Sequence, residues 1–114
     1  MKAAIINQFG EADVLQITEV KKPEINEDQV LIKVIAVGIN PVDTKVRAGT
    51  SGMSKRIKLP AILGWDVSGI IESVGKNAFG FNIGDAVFGC IGFPDLGNAS
   101  AAFAVDDPHF FAPT

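Results

Sequence analysis

Two short stretches place together side chains that could do chemistry. Asn40-Pro41-Val42-Asp43 sets an amide three residues before a carboxylate, and Gly64-Trp65-Asp66 sets a carboxylate beside a large aromatic ring. Such groups can line a ligand site, yet each also has an ordinary structural role. Asn40 is typical of a helix cap, Asp66 of a turn, and Trp65 of a core or its rim. The residues alone leave both interpretations open.

Metal ligands and nucleophiles are scarce in this chain. It has one histidine, His109, and one cysteine, Cys90, neither at ligand-like spacing from the carboxylates. A zinc site needs three or four His, Cys or carboxylate ligands, so we expect no metal site. Nothing near Cys90 would activate its thiol, and we expect a buried, small apolar residue. His109, between Pro108 and Phe110, is expected to be structural or exposed.

Composition and charge narrow the class of protein. The 114 residues are 47% hydrophobic and 20% charged, with a formal net charge of -3, which is typical of one globular domain. A weakly acidic balance argues against nucleic acid or an anionic membrane as a partner. No run approaches the roughly 20 apolar residues of a membrane span, and the first residues lack a signal-peptide pattern. We predict a cytoplasmic protein.

Short runs rich in Val and Ile predict a mainly β fold. Because turn residues separate these runs at close intervals, a barrel or sandwich is favoured over βαβ units. The predicted strands cover residues 3–6, 14–20, 30–37, 67–74, 86–90, 101–105 and 110–111.

One segment, near residues 40–48, predicts a short helix. Asn40 can cap it, Pro41 suits its first position, and Asp43 complements the positive end of the helix dipole. Gly49 is suited to end it. A strand therefore leads directly into a capped helix, which would fix the first side chains of that helix firmly.

The order of these motifs resembles the N-terminal, GroES-like catalytic domain of the medium-chain dehydrogenase/reductase superfamily. The resemblance rests on MKAAIINQFG–EADVLQITEV, DQVLIKVIAVGINPVDTKVRAG, LPAILGWDVSGIIESVG and FNIGDAVFG, in that order. Within the superfamily, the chain resembles the zinc-free quinone oxidoreductase (zeta-crystallin-like) branch. The resemblance implies a partly open β-barrel with a short helix near residues 40–48. It also implies that residues 1–114 are the GroES-like catalytic domain and that the Rossmann nucleotide-binding domain is absent from this chain.

The resemblance also implies where the site lies. Zinc-dependent members have a Cys at the helix start and a His-Glu pair after a glycine, as metal ligands or their close support. Here those positions hold Asn40, Trp65 and Asp66, so the stretch resembles a metal-site framework without its metal. By this resemblance, Asn40, Asp43, Lys45 and Trp65 form the catalytic site, and Asn40 and Asp66 contact the cofactor.

The implied activity is NADPH-dependent reduction of quinones or α,β-unsaturated carbonyls by direct hydride transfer, without a metal. The resemblance implies a homodimer in a full-length form, and an isolated chain that neither binds NADPH tightly nor turns over. Lys45 stands where many relatives have tyrosine, and it could either donate a proton or attract a phosphate. The basic loop of residues 55–58 is either a solvated loop or a guide for a phosphate-bearing cofactor.

Two other interpretations stay open. The chain could be a non-catalytic GroES-like interaction module or co-chaperonin-like subunit, although residues 21–28 are charged and offer only Ile25 as an apolar anchor. It could also be a metal-using dehydrogenase with substituted ligands. If a second domain packs on this one, we expect an exposed apolar patch, with Phe103, Phe110 and Phe111 as candidates.

Overall fold

The computed structural model of this chain describes residues 1–92 and 96–114. They form antiparallel β-structure with one α-helix, which confirms the predicted mainly β fold with a short helix. The strands are β1 (Lys2–Ile6), β2 (Leu15–Glu19), β3 (Val30–Gly38), β4 (Ala61–Ile62), β5 (Asp66–Val74), β6 (Ala86–Cys90), β7 (Phe103–Asp106) and β8 (Phe111–Pro113), and the helix is α1 (Pro41–Ala48). None of the helices in the described ranges is long and apolar enough to cross a membrane.

The strands form two sheets whose registers determine the site. The smaller sheet has the order β2-β1-β4, and the larger has the order β7-β3-β5-β6-β8. Strand β3 pairs with β5 along its length, so that Gly38 at the end of β3 faces Asp66 at the start of β5. Strand β5 pairs with β6 so that Asp66 also faces Cys90. Three strand ends therefore meet around Asp66.

Two clusters of buried apolar side chains hold the sheets. The larger packs strand residues such as Val30, Ile32 and Ile71 within the five-stranded sheet. The smaller cluster contains Trp65, which is 1% exposed, and Val46, which anchors α1 with no exposed surface. Since Trp65 directly precedes β5, the smaller cluster also fixes the position from which Asp66 leaves the core.

Helix α1 begins and ends as its sequence predicts. Asn40 is the N-cap residue, with an extended backbone, and Pro41 follows at the first helical position. The Asp43 carboxylate accepts a hydrogen bond from the Asn40 backbone N–H at 2.7 Å. Gly49 ends the helix in the left-handed region, with φ 82°, a conformation that favours glycine.

The structure differs from the predicted elements at several points. Strand β4 and the 3-10 turn Gly52–Arg56 were not predicted, because two residues are too few to show a pattern and a 3-10 turn has none of its own. Val14 belongs to a 3-10 turn rather than to β2. At residues 110–111, Phe110 ends a 3-10 turn and Phe111 begins β8.

The predicted candidates for an exposed apolar patch were wrong in part. Phe111 is buried at 7% exposure, because it packs into the larger core, and Phe103 and Phe110 are half-buried. Among the residues that the structure describes, the most exposed large apolar side chains lie elsewhere, namely Ile17, Ile35, Ile39, Phe79, Ile83 and Phe88.

Candidate functional site

The candidate site forms where the helix start meets the ends of three strands. Asn40 follows the end of β3, Asp66 begins β5 and Cys90 ends β6. Gly38 is required for this close approach, because a Cβ atom on it would lie 3.0 Å from the Asp66 Cβ. The sequence analysis missed Gly38, although a glycine between an apolar strand and a helix cap was a usable signal.

Asn40 is held by two carboxylates. Its side-chain Nδ2 donates a hydrogen bond to Asp66 Oδ2 at 2.6 Å, and its backbone N–H donates to Asp43 Oδ2 at 2.7 Å. All three residues are half-buried. Hydrogen bonds to ionised acceptors are roughly twice as strong as bonds between neutral groups. The structure therefore brings together three of the predicted site residues, Asn40, Asp43 and Asp66, and fixes Asn40 from two sides.

Cys90 is a further member of this group, and its predicted burial was wrong. The thiol is exposed, because alternate residues of β6 face inward at Val87 and outward at Phe88 and Cys90. Partial burial raises the pKa of the Cys90 thiol, as do its hydrogen bond to Asp66 and the negative charges of Asp66 and Asp43. The thiol therefore stays protonated to a higher pH than an ordinary cysteine.

This environment predicts a slow reaction of Cys90 with alkylating reagents. Asp66→Asn removes one negative charge beside the thiol, so its pKa should fall. Iodoacetamide should then alkylate Cys90 severalfold faster near neutral pH, since each unit of lowered pKa raises the thiolate fraction about tenfold. Ser68→Ala, on the same strand, is the control and should leave the rate unchanged. Equal alkylation rates for wild type and Asp66→Asn would contradict this account of the thiol.

Two cavities flank this group, and Gly38 lines both. The smaller, of about 120 Å³, lies on the helix side, where Asp43, Thr44, Arg47 and Ser100 supply its polar side chains. The larger, of about 570 Å³, lies over the strand ends and includes Asp66 and Cys90. Asp43 lines the smaller cavity and Asp66 lines the larger one, and Asn40 is bonded to both carboxylates. Asn40 itself is not among the described residues that line either cavity.

Ser100 also belongs to the smaller cavity and is placed by a close backbone contact. A Cβ atom on Gly64 would lie 2.7 Å from Ser100 Oγ, and Gly64 has φ +99°, so this position favours glycine. The Ser100 backbone N–H donates to the Leu63 carbonyl at 2.9 Å. The glycine before Trp65 therefore lets residue 100 pack against the stretch that leads into Asp66.

Lys45 and Trp65 make none of the hydrogen bonds that join Asn40, Asp43 and Asp66. Among the described residues that line the two cavities, Lys45 and Trp65 are not found, and neither is Asn40. Lys45 is exposed on α1, and Trp65 is packed in the smaller core, where its backbone carbonyl accepts a hydrogen bond from Ile91 N–H at 2.8 Å. Their catalytic roles stay predictions. Within the described ranges, no three His, Cys, Asp or Glu side chains are grouped so as to hold a metal ion.

Comparison with known proteins agrees with this architecture. The family described as "Alcohol dehydrogenase GroES-like domain" matches residues 26–107. A quinone oxidoreductase from Sus scrofa is 40% identical over 114 residues, which cover 99% of this chain and 34% of the relative. The structure of the quinone oxidoreductase from Coxiella burnetii superposes with a TM-score of 0.96 at 37% identity, over 99% of this chain and 36% of that one.

A further solved relative carries a cofactor. The quinone oxidoreductase of Escherichia coli, crystallised with NADPH, matches with a TM-score of 0.87 and 26% identity, over 99% of this chain and 33% of that one. The present chain spans about a third of the length of the curated relatives it matches.

These matches establish the family. The chain belongs to the GroES-like domain family of alcohol dehydrogenases, as the N-terminal domain type of the medium-chain dehydrogenase/reductase superfamily, in its quinone oxidoreductase branch. The resemblance inferred from the sequence motifs is confirmed.

Proposed function

We propose that this chain is the catalytic-domain portion of an NADPH-dependent quinone or enone reductase that works by direct hydride transfer without a metal. The observation that carries the proposal is the 2.6 Å bond between Asn40 Nδ2 and Asp66 Oδ2 at the helix start, where Asp66 lines the larger cavity and Asp43 lines the smaller one. The solved relative bound to NADPH and the curated quinone oxidoreductases support it.

The chain's own residues would bind and orient the reactants. Reduced nicotinamide supplies the hydride when NADPH is bound, so the protein contributes mainly position and hydrogen bonds. Asn40 is fixed by Asp43, which lines the helix-side cavity, and by Asp66, which lines the larger cavity. The helix-side cavity is lined by apolar side chains such as Leu15 and Ile39 and by the charged Asp43 and Arg47, which suits a small acceptor with an apolar body and polar carbonyls. Lys45, being exposed, could reach a ligand only from the rim.

The residues present fit the nicotinamide end of the cofactor rather than its pyrophosphate. A dinucleotide pyrophosphate is usually held at a helix N-terminus. The start of α1 does not suit a pyrophosphate. Pro41 has no N–H to donate, and the Asp43 carboxylate adds a negative charge that would repel the phosphates. We therefore propose that tight NADPH binding needs a nucleotide-binding domain of the Rossmann type outside these residues, and that the isolated chain has little turnover. The homodimer and the cytoplasmic location stay predictions.

The proposal can be tested on the isolated chain by NMR. Titration with NADPH, and separately with 1,4-naphthoquinone, should shift the Asn40 side-chain amide signal at millimolar ligand. The Asn77 side-chain amide, which is exposed and bonded to Glu27 at 3.4 Å, is the matched control and should not move. Steady NADPH oxidation with the quinone should be absent. Shifts that spare Asn40, or turnover by the chain alone at the rate of a full-length relative, would contradict the proposal.

A further inference from the structure

Asp66 was predicted to contact the cofactor, and its geometry indicates a further role. An ionised carboxylate only accepts hydrogen bonds, whereas a side-chain amide has a donor end and an acceptor end of nearly the same shape. With Asp66 Oδ2 at 2.6 Å, only the Nδ2 end of Asn40 can face it. A flipped amide would place Asn40 Oδ1 against a negatively charged oxygen. Asp66 therefore selects one of the two amide orientations.

The two carboxylates around Asn40 accept hydrogen bonds from different parts of it. Asp43 accepts from the backbone N–H and so fixes the start of the helix, while Asp66 accepts from the side-chain N–H and so fixes the amide plane. Asp66 is itself held from the opposite strand. It faces Cys90 in the register of β5 and β6, so the exposed Cys90 thiol lies beside this carboxylate.

We propose that Asp66 is a positioning residue that acts through Asn40, and that Cys90 steadies it from β6. The chain of contacts runs from the Cys90 thiol through the Asp66 carboxylate to the Asn40 amide, whose donor and acceptor ends are thereby kept in one orientation. Only the effect of the Asn40 orientation on the reaction rests on the proposed function. The orientation of the Asn40 amide is a property of the chain by itself.

The test follows the Asn40 side-chain amide by NMR in the free chain. In the wild type, one Nδ2 proton should be shifted downfield by the carboxylate, and Asp66→Ala should abolish that shift. Asp66→Asn keeps the side-chain shape and one acceptor oxygen but loses the negative charge, so it should reduce the shift. This variant provides the test if Asp66→Ala fails to fold. The Asn40 backbone N–H, bonded to Asp43, is the internal control and should stay in place. Ser68→Ala is the matched control on β5.

Variants of Cys90 test the second part of the proposal. Cys90→Ala should reduce the downfield shift of the Asn40 Nδ2 proton, and Cys90→Ser, which still offers a donor, should restore most of it. An unchanged Asn40 amide signal in any folded Asp66 variant would overturn the positioning role. A Cys90→Ala spectrum identical to that of the wild type would overturn the role of Cys90.

A ligand titration separates this inference from the proposed function. With NADPH as the probe, the wild-type Asn40 amide should shift and the Asp66→Ala amide should shift at least severalfold less. If NADPH moves no signal in the wild type while the Asn40 amide still depends on Asp66, the positioning role stands and the proposed function fails. If NADPH shifts Asn40 equally in both proteins, the positioning role fails and the proposed function stands.

Discussion

Trp65→Ala should lower the free energy of unfolding by about 3–5 kcal/mol, the range for truncating a buried large aromatic side chain. Trp65 is 1% exposed and packs in the smaller core with Ile6, Val46 and Leu63. Its loss would leave a cavity beneath the start of β5. Since domains of this size are stable by about 5–15 kcal/mol, the variant should be close to unfolding. Urea titration followed by circular dichroism measures the change.

Phe79→Ala is the matched control for Trp65. Phe79 is 80% exposed, so its truncation should change stability by no more than about 0.5 kcal/mol. Trp65→Phe should lie between the two, because a smaller ring still fills part of the space. A loss below about 1 kcal/mol in Trp65→Ala would contradict the structural role given to this side chain.

Gly69→Ala should also destabilise strongly. Gly69 lies in the middle of β5, between β3 and β6. A Cβ atom there would fall on the Lys33 carbonyl oxygen and would lie 2.7 Å from Ile32 Cγ2. The carbonyl is backbone and cannot turn aside, so β3 would have to move. Overpacking costs about 1–3 kcal/mol, sometimes more, and we expect the upper part of that range in thermal or urea unfolding.

Gly52→Ala separates steric crowding from a general effect of losing a glycine. Apart from Gly52 itself and its two chain neighbours, no atom of the described residues lies within 4 Å of a Cβ on Gly52, and its backbone is in the 3-10 turn Gly52–Arg56. This variant should be neutral or slightly stabilising, because alanine restricts the unfolded chain. If Gly69→Ala were as stable as Gly52→Ala, the close pairing of β3 with β5 would be wrong.

Much of the fold could be predicted because its signals are local. The run of Val and Ile in β3 and β5 marks strands, and the caps of α1 follow from Asn40, Pro41 and Gly49. The exposure of Cys90 could not be predicted in this way. The face of the sheet on which the Cys90 side chain lies depends on the register of β6 against β5. A short apolar run that ends in a turn does not show which of its residues face inward.

In the candidate site, too, the residues could be predicted from local motifs but the contacts between them could not. Asn40, Asp43 and Asp66 were selected by motif and resemblance, but nothing in the sequence states that Asn40 and Asp66, 26 positions apart, bond to each other. That contact follows from the pairing of Gly38 with Asp66. For Trp65, an aligned position in zinc-dependent relatives suggested a role in the site, and that role stays a prediction. The packing of its side chain in the smaller core could not be predicted from the aligned position.

The central claim is that Asn40 belongs to a hydride-transfer site, and a domain exchange tests it most directly. Residues 1–114 would replace the matching third of the Coxiella burnetii quinone oxidoreductase, whose first domain superposes with a TM-score of 0.96. The chimera should oxidise NADPH in the presence of 1,4-naphthoquinone, and Asn40→Ala should lower its kcat/KM about tenfold or more, equivalent to about 1.4 kcal/mol of transition-state stabilisation. A folded chimera that binds NADPH but oxidises it no faster than buffer, or an Asn40→Ala chimera with full activity, would contradict the account.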